Sequence, residues 1–313
     1  YTNLLHTLGF IKETTPDAYL ATAKKFGALL SRAATPYSRW HAIDQPDTLP
    51  IRVGIVSGDL LNHPVGYFIE GLLPYLAPDK IELVAFVSRQ RDDELSRRIR
   101  PQFSEWHQVS EGNIAAAAEV MHAANLHILL DLNGHTAYNM LPAFAYRPAP
   151  VQASWLGYWA STGVAEMDYL IADPVSVPPS HQSHFTEQIW YLPDTRLCFT
   201  PPAGAPATVS PPPVLKNGYV TFGCFQRLSK LNDDVLSVWR QIFSACPNAR
   251  LHLKSGNLLS PQAQQALFAQ LSAHGFQPDQ VHLESGSSRE AYLRSYEQVD
   301  FMLDTFPFPG GTT

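Results

Sequence analysis

The chain has 313 residues, 45% of them hydrophobic, and a formal net charge of −6. That length suits two domains with real cores, and the acidic balance argues against a nucleic-acid-binding surface spread over the protein. No apolar run reaches a membrane span, and three scattered cysteines fit neither a zinc site nor a disulfide framework, so a reducing cytoplasm is expected.

Residues 1–45 read as helical. Thr15-Pro16 is an N-cap and N1 pair, and Tyr19, Leu20, Ala23, Phe26, Leu29 and Leu30 recur at helical spacing. The segment reads as an add-on packed against the residues C-terminal to it, or as the tail of an upstream helical array. The first residue is not Met and no secretory signal pattern is present after it, which reads as a trimmed start.

From residue 51 apolar strands alternate with helical stretches. The strands are "IRVGIV", "IELVAFVS", "HILLDLN", "VQASWLG" and "YLIAD", and the helices fall at 64–76, 93–99 and "NIAAAAEVMHAA". This alternation predicts βαβ units and a parallel sheet over 46–197. Residues 198–218 are proline-rich and predict a linker without regular structure. A second series then runs "YVTFGC", helix 232–244, "ARLHLKS", helix 260–273, "QVHLES", helix 287–296 and "VDFMLDT". The fold class expected is α/β with two parallel-sheet lobes. The second lobe, 219–313, stops where a helix should begin, so the sequence reads as a fragment.

In open α/β sheets ligands bind beyond the carboxyl ends of the strands, where helix N-termini offer free N–H groups to phosphate. Three such joints carry suitable side chains. His63 ends the first strand, Gln226 and Lys230 follow the first strand of the second lobe, and "GGTT" closes the chain with Gly311, Thr312 and Thr313. Each alone is a loop histidine, a solvated lysine or a turn by default. Their common address at strand ends of both lobes suggests a phosphorylated donor held in a cleft. Lys230 would neutralise a departing diphosphate, and His63 would accept a proton or bond to phosphate.

Other candidates have plainer readings. Asp92-Asp93 open a solvated helix rather than a metal motif, and His181 with His184 lacks carboxylate or cysteine partners for zinc. His135 ends a strand on the side of His63. Trp155, Tyr158 and Trp159 read as packing residues, and Asp194 and Asp304 receive no role.

The blocks "GDLLNHPVGYF", "HILLDLNGHT", "RPAPVQASWLGYWASTG…MDYLIAD", "CFQRLSKL" and "FMLDTFPFPGGTT" together resemble the catalytic region of the O-linked N-acetylglucosamine transferase family, above all its bacterial members. The resemblance runs from about residue 50 to the end, and residues 1–45 are similar to the piece joining that family's tetratricopeptide array to its core. It implies a GT-B fold of two Rossmann-like lobes, no metal and no cofactor, with UDP-N-acetylglucosamine as donor and a protein Ser or Thr hydroxyl as acceptor. No nucleic-acid or membrane partner is implied.

By position, His63 beside Pro64 matches the family's active-site histidine and His127 its second one. Gln226 and Lys230 match the loop whose lysine contacts the diphosphate, with Gly311, Thr312 and Thr313 at the diphosphate-binding helix. Gly163 and His135 fall near the sugar or acceptor, and Ser287, Arg289 and Tyr292 near the nucleoside. Two positions depart from the pattern. Gly311 stands where the family has His, and Tyr292 where it often has His. Related plant members use GDP-fucose, so GDP-fucose or UDP-glucose remain alternative donors, and a non-catalytic binding module with a vestigial nucleotide site is the alternative from another class.

Overall fold

The structure, a computed structural model, describes residues 1–44, 49–202, 205 and 208–312. The chain divides into two compact units, Tyr1–Thr200 and Pro201–Thr313.

The first unit opens with helices α1 (Thr2–Leu8) and α2 (Pro16–Ala33). Thr15 caps α2 by accepting the Ala18 N–H at 3.2 Å. The apolar stripe of α2 is buried, with Tyr19, Ala23 and Phe26 in the main core, so this segment is part of the unit. The remaining elements are β1 (Ile51–Ser57), α3 (Pro64–Leu72), β2 (Ile81–Val87), α4 (Glu94–Ile99), β3 (Glu105–Gln108), α5 (Ile114–Ala123), β4 (Ile128–Asp131), α6 (Leu141–Phe144), β5 (Val151–Ser154), β6 (Tyr169–Ala172) and β7 (Gln188–Tyr191).

The strands form one parallel seven-stranded sheet in the order β3-β2-β1-β4-β5-β6-β7. Both faces are covered, one by the cluster around Phe86, Leu129 and Phe144, the other by Phe68, Ile69, Leu95 and Ile99. This is why β1 and β2 read as unbroken apolar runs. Two strands, β3 and β7, lie outside the sequence expectation. They are short edge strands whose polar residues blur the period.

The second unit contains α7 (Val214–Asn217), β8 (Thr221–Cys224), α8 (Asp233–Ala245), β9 (Arg250–Ser255), α9 (Pro261–Ala273), β10 (Val281–Ser285), α10 (Arg289–Ser295) and β11 (Phe301–Met302). Its sheet is also parallel, in the order β10-β9-β8-β11. Trp239 and Phe243 of α8 pack with Leu251, Leu253 and Phe276 to make its core. The expected linker contains a helical turn, α7, because Pro211–Pro213 supply helix-compatible φ at its start and Gly218, at φ +73°, ends it in the left-handed region.

In each sheet the direction of winding reverses beside the first strand, between β1 and β4 and between β8 and β11. Crevices at such switch points are the ligand sites of open α/β sheets. Among the described residues no helix is long and apolar enough to cross a membrane.

Candidate active site

At the first switch point the loops after β1 and β4 are joined by a buried polar knot. Asp131 closes β4 fully buried, and its carboxylate accepts the N–H groups of Asn133 (3.1 Å) and Gly134 (2.8 Å) and the Ser154 hydroxyl (2.9 Å). Burial outweighs these donors and raises the Asp131 carboxyl to about 6. Asn133 then bridges the loops. Its Oδ1 accepts the Gly58 N–H, and its Nδ2 donates to Asp59 Oδ2, both at 2.9 Å.

Asp59 leads to His63, whose Nδ1 lies 3.8 Å from Asp59 Oδ2. His63 is the N-cap of α3, and Pro64 is its first helical residue. The Nδ1 atom accepts the Val65 N–H at 3.3 Å, which places the ring proton on Nε2. In that tautomer His63 is a hydrogen-bond donor through Nε2. To accept a proton there it must release Val65 and turn Nδ1–H toward Asp59.

The other histidines sit differently. His135 is 1% exposed, donates Nε2–H to the Thr162 carbonyl at 3.0 Å, and packs edge-on against Phe26 and Tyr158. Burial pushes its imidazole down to about 4, so it is a neutral core histidine at the switch point. His127 stands at the other end of the sheet. Its N–H bonds to the Arg52 carbonyl and its Nδ1 accepts the Arg52 N–H, both where β1 begins. Five residues of strand, on the order of 16 Å, separate that level from the carboxyl end of β1. His127 therefore lies at the amino edge of the sheet and His63 at the carboxyl edge, because His127 precedes its strand while His63 follows one.

Gly163 is the candidate held closest to α2. It has φ +72°, is buried, and lies against α2, where an added Cβ would stand 2.2 Å from the Ala23 carbonyl oxygen. Gly27 meets it from the helix side. Close packing of α2 is what this glycine provides.

The second switch point is laced by Gln226, 8% exposed. Its Nε2 donates to Asp304 Oδ1 at 2.6 Å, and its Oε1 accepts Lys230 Nζ and Thr305 Oγ1, each at 3.0 Å. Asp304 Oδ1 also accepts the Thr305 and Gly310 N–H groups at 2.8 Å. Although burial works the other way, these bonds hold the Asp304 carboxyl below its usual range. Lys230 donates to the Pro309 carbonyl at 2.8 Å and lies 4.5 Å over the Phe308 ring. Partial burial lowers its pKa against the opposing pull of Asp304.

The loop that leads to Thr312 is thus tied to the loop that carries Lys230. Gly311 is exposed, with open space where a Cβ would be, and Thr312 is exposed beside it. Thr313 lies outside the described residues. Asp304 and Asp59, the hubs of the two knots, carried no role in the sequence reading, since their partners lie 78 and 74 positions away.

Beside this point, α10 begins at Ser288, which accepts the Ala291 N–H at 3.3 Å. Ser287 and Arg289 flank that cap, Ser287 exposed. Tyr292 and Tyr296, linked through their hydroxyls at 3.1 Å, stand edge-on to Phe225 with centroids 5.9 and 5.0 Å away. The structure therefore gathers Gln226, Lys230 and the chain leading to Gly311 at one crevice, with Tyr292 joined to it through Phe225.

The model of glycosyl transferase family 41 matches residues 27–199, more than half of the chain. The chain belongs to that family. It is 33% identical to the Arabidopsis thaliana protein named "Probable UDP-N-acetylglucosamine--peptide N-acetylglucosaminyltransferase SPINDLY", over 99% of this chain and 34% of that protein. The Arabidopsis thaliana protein of the same description named SEC is 26% identical over 84% of this chain and 27% of its own length. Among solved structures, a mutant of the Thermobaculum terrenum O-GlcNAc transferase superposes with a TM-score of 0.91 at 32% identity, covering 99% of this chain and 59% of that one. With two parallel sheets that match this structure, the fold of the family 41 chain is of GT-B type. The chain spans about a third of the length of the curated relatives it matches.

Proposed function

We propose that the protein transfers N-acetylglucosamine from UDP-N-acetylglucosamine to Ser or Thr hydroxyls of proteins, with inversion at the anomeric carbon. The observation that carries this is Lys230, half-buried at a sheet switch point and held by Gln226 against the loop that leads to Thr312. A half-buried cation at the carboxyl end of the strands suits a diphosphate. The names of the relatives supply the donor and the acceptor class.

In the reaction the acceptor oxygen bonds to the anomeric carbon as the bond to the UDP oxygen breaks, so negative charge grows on the diphosphate. Lys230 stabilises that charge without a metal. In its resting tautomer His63 donates from Nε2 to an oxygen of donor or acceptor. The acceptor proton leaves to a phosphate oxygen or water, or to His63 once Nδ1–H has turned to Asp59. A cytoplasmic setting agrees with the free thiols of Cys198, Cys224 and Cys246.

Calorimetric titration of UDP and of GDP into the protein, repeated with Lys230→Ala, tests this. Tight UDP binding lost in the variant supports the proposal. Preference for GDP moves the donor to a GDP-sugar such as GDP-fucose, and binding of neither nucleotide leaves a non-catalytic binding module.

A further inference from the structure

One face of the second sheet carries side chains that the donor chemistry leaves unused. In the parallel pair β9–β10, His252 lies opposite His282 and Lys254 opposite Glu284. The two-residue period of a strand puts all four on the same face. Lys254 is 2% exposed and its ammonium bonds to Glu284 Oε1. His252, also 2% exposed, has Nε2 2.9 Å from Glu284 Oε2. The exposed ring of His282 stands 4.6 Å from that of His252, inclined at 63°. One ligand atom from each of His252, His282 and Glu284 falls within 4.8 Å of the other two.

We propose that His252, His282 and Glu284 bind one divalent transition-metal ion, with zinc as the reference ion. Two imidazoles and a carboxylate are a known set of three protein ligands for tetrahedral zinc that leaves the fourth position open. Bonds of about 2.0–2.2 Å place neighbouring ligand atoms roughly 3.3 Å apart in such a site. The His252–Glu284 pair is already closer than that, and rotation of the exposed His282 side chain closes the remaining gap. The ion takes the place of the proton that His252 shares with Glu284.

Lys254 bears on the site in two ways. It occupies Oε1 and so aims Oε2 at the imidazoles, as hydrogen-bonded carboxylate ligands are aimed. Its charge weakens the affinity, and the carboxylate between it and the ion tempers that repulsion. The open position faces a cavity of about 790 Å³ that both histidines line together with Thr221, Arg250 and Gln298, so water or a small ligand can complete the shell. An ion-pair knot of Lys254, Glu284 and His252 is satisfied without a metal. His282 is what that knot does not explain, since it takes no part in those hydrogen bonds and yet register sets it beside them.

The test is a titration of the metal-free full chain with Co2+, followed by its visible ligand-field absorption, and with Zn2+ against a chromophoric chelator. One equivalent should bind with a tetrahedral Co2+ spectrum. His282→Ala should lower Zn2+ affinity at least tenfold with the Tm in chelator unchanged, because the ring is exposed. Should that variant unfold, His282→Gln provides the same comparison. His181→Ala, which removes half of the other close histidine pair (centroids 4.9 Å apart), should change nothing. Equal Zn2+ affinity in the His282 variant and the parent chain, or no saturable single equivalent, overturns the proposal.

Discussion

The two buried groups at the first switch point should respond to acid in opposite senses. His135 is lowered from 6.5 to about 4, chiefly by burial, with His6 adding unfavourable charge. Its folded pKa lies below its unfolded one, so the stability it contributes is whole above 6.5 and is lost as pH falls toward 4. Between pH 8 and pH 5 that loss is about 2 kcal/mol. Asp131 is raised from 3.8 to about 6, again by burial first. A folded carboxyl that protonates early gains stability as pH falls through 6, by about 1.4 kcal/mol at pH 5. The parent chain therefore loses only about 0.6 kcal/mol from the pair over that span. His135→Gln keeps a donor for the Thr162 carbonyl and removes the titration, so its pH trend should be more favourable than the parent's by about 2 kcal/mol. Asp131→Asn should be less favourable by about 1.4 kcal/mol. Urea unfolding read by tryptophan fluorescence at the two pH values measures this, since five of the six tryptophans lie in the first unit. Every other titrating group cancels in the comparison. Identical trends in the parent chain and His135→Gln, or an imidazole NMR titration of His135 near 6.5, would refute the reasoning.

Four further outcomes are expected. Asp304→Ala should weaken UDP binding at least tenfold, because it removes the one oxygen that accepts from Gln226, Thr305 and Gly310; calorimetry with unchanged affinity would remove Asp304 from the site. His127→Ala should leave nucleotide affinity within about twofold of the parent chain while lowering Tm, since its bonds are to Arg52 at the far end of the sheet. Gly163→Ala should destabilise the first unit by on the order of 2–4 kcal/mol, from its positive φ and the collision with the Ala23 carbonyl, and an unchanged Tm would show that α2 can shift. Asp59→Asn should lower kcat with KM little changed and alter the pH profile if His63 must shift its tautomer in turnover; a profile identical to the parent's would confine His63 to its Nε2–H donor role.

The sheet-forming stretches were legible because burial on both faces leaves an apolar run, as in Val53–Val56 and "IELVAFV", and the start of α2 was legible because Thr15-Pro16 could cap it. The short edge strands β3 and β7 were not, since Glu105, His107, Gln108 and Gln188 give no clear period. Chemistry-bearing types were visible at the loops, and the residues that organise them were not. Asp59 and Asp304 act through partners more than 70 positions away, a distance that only the winding of the sheet brings to zero. His127 is the instructive case. It shares a residue type and a neighbouring strand with His63, and its position before "ILLD" was in plain view. In a parallel sheet a residue that precedes its strand lies at the amino edge and one that comes after it lies at the carboxyl edge, so the order of histidine and strand already separates the two. Side-chain identity nominates a candidate, and the strand end at which it falls decides whether it can reach the ligand.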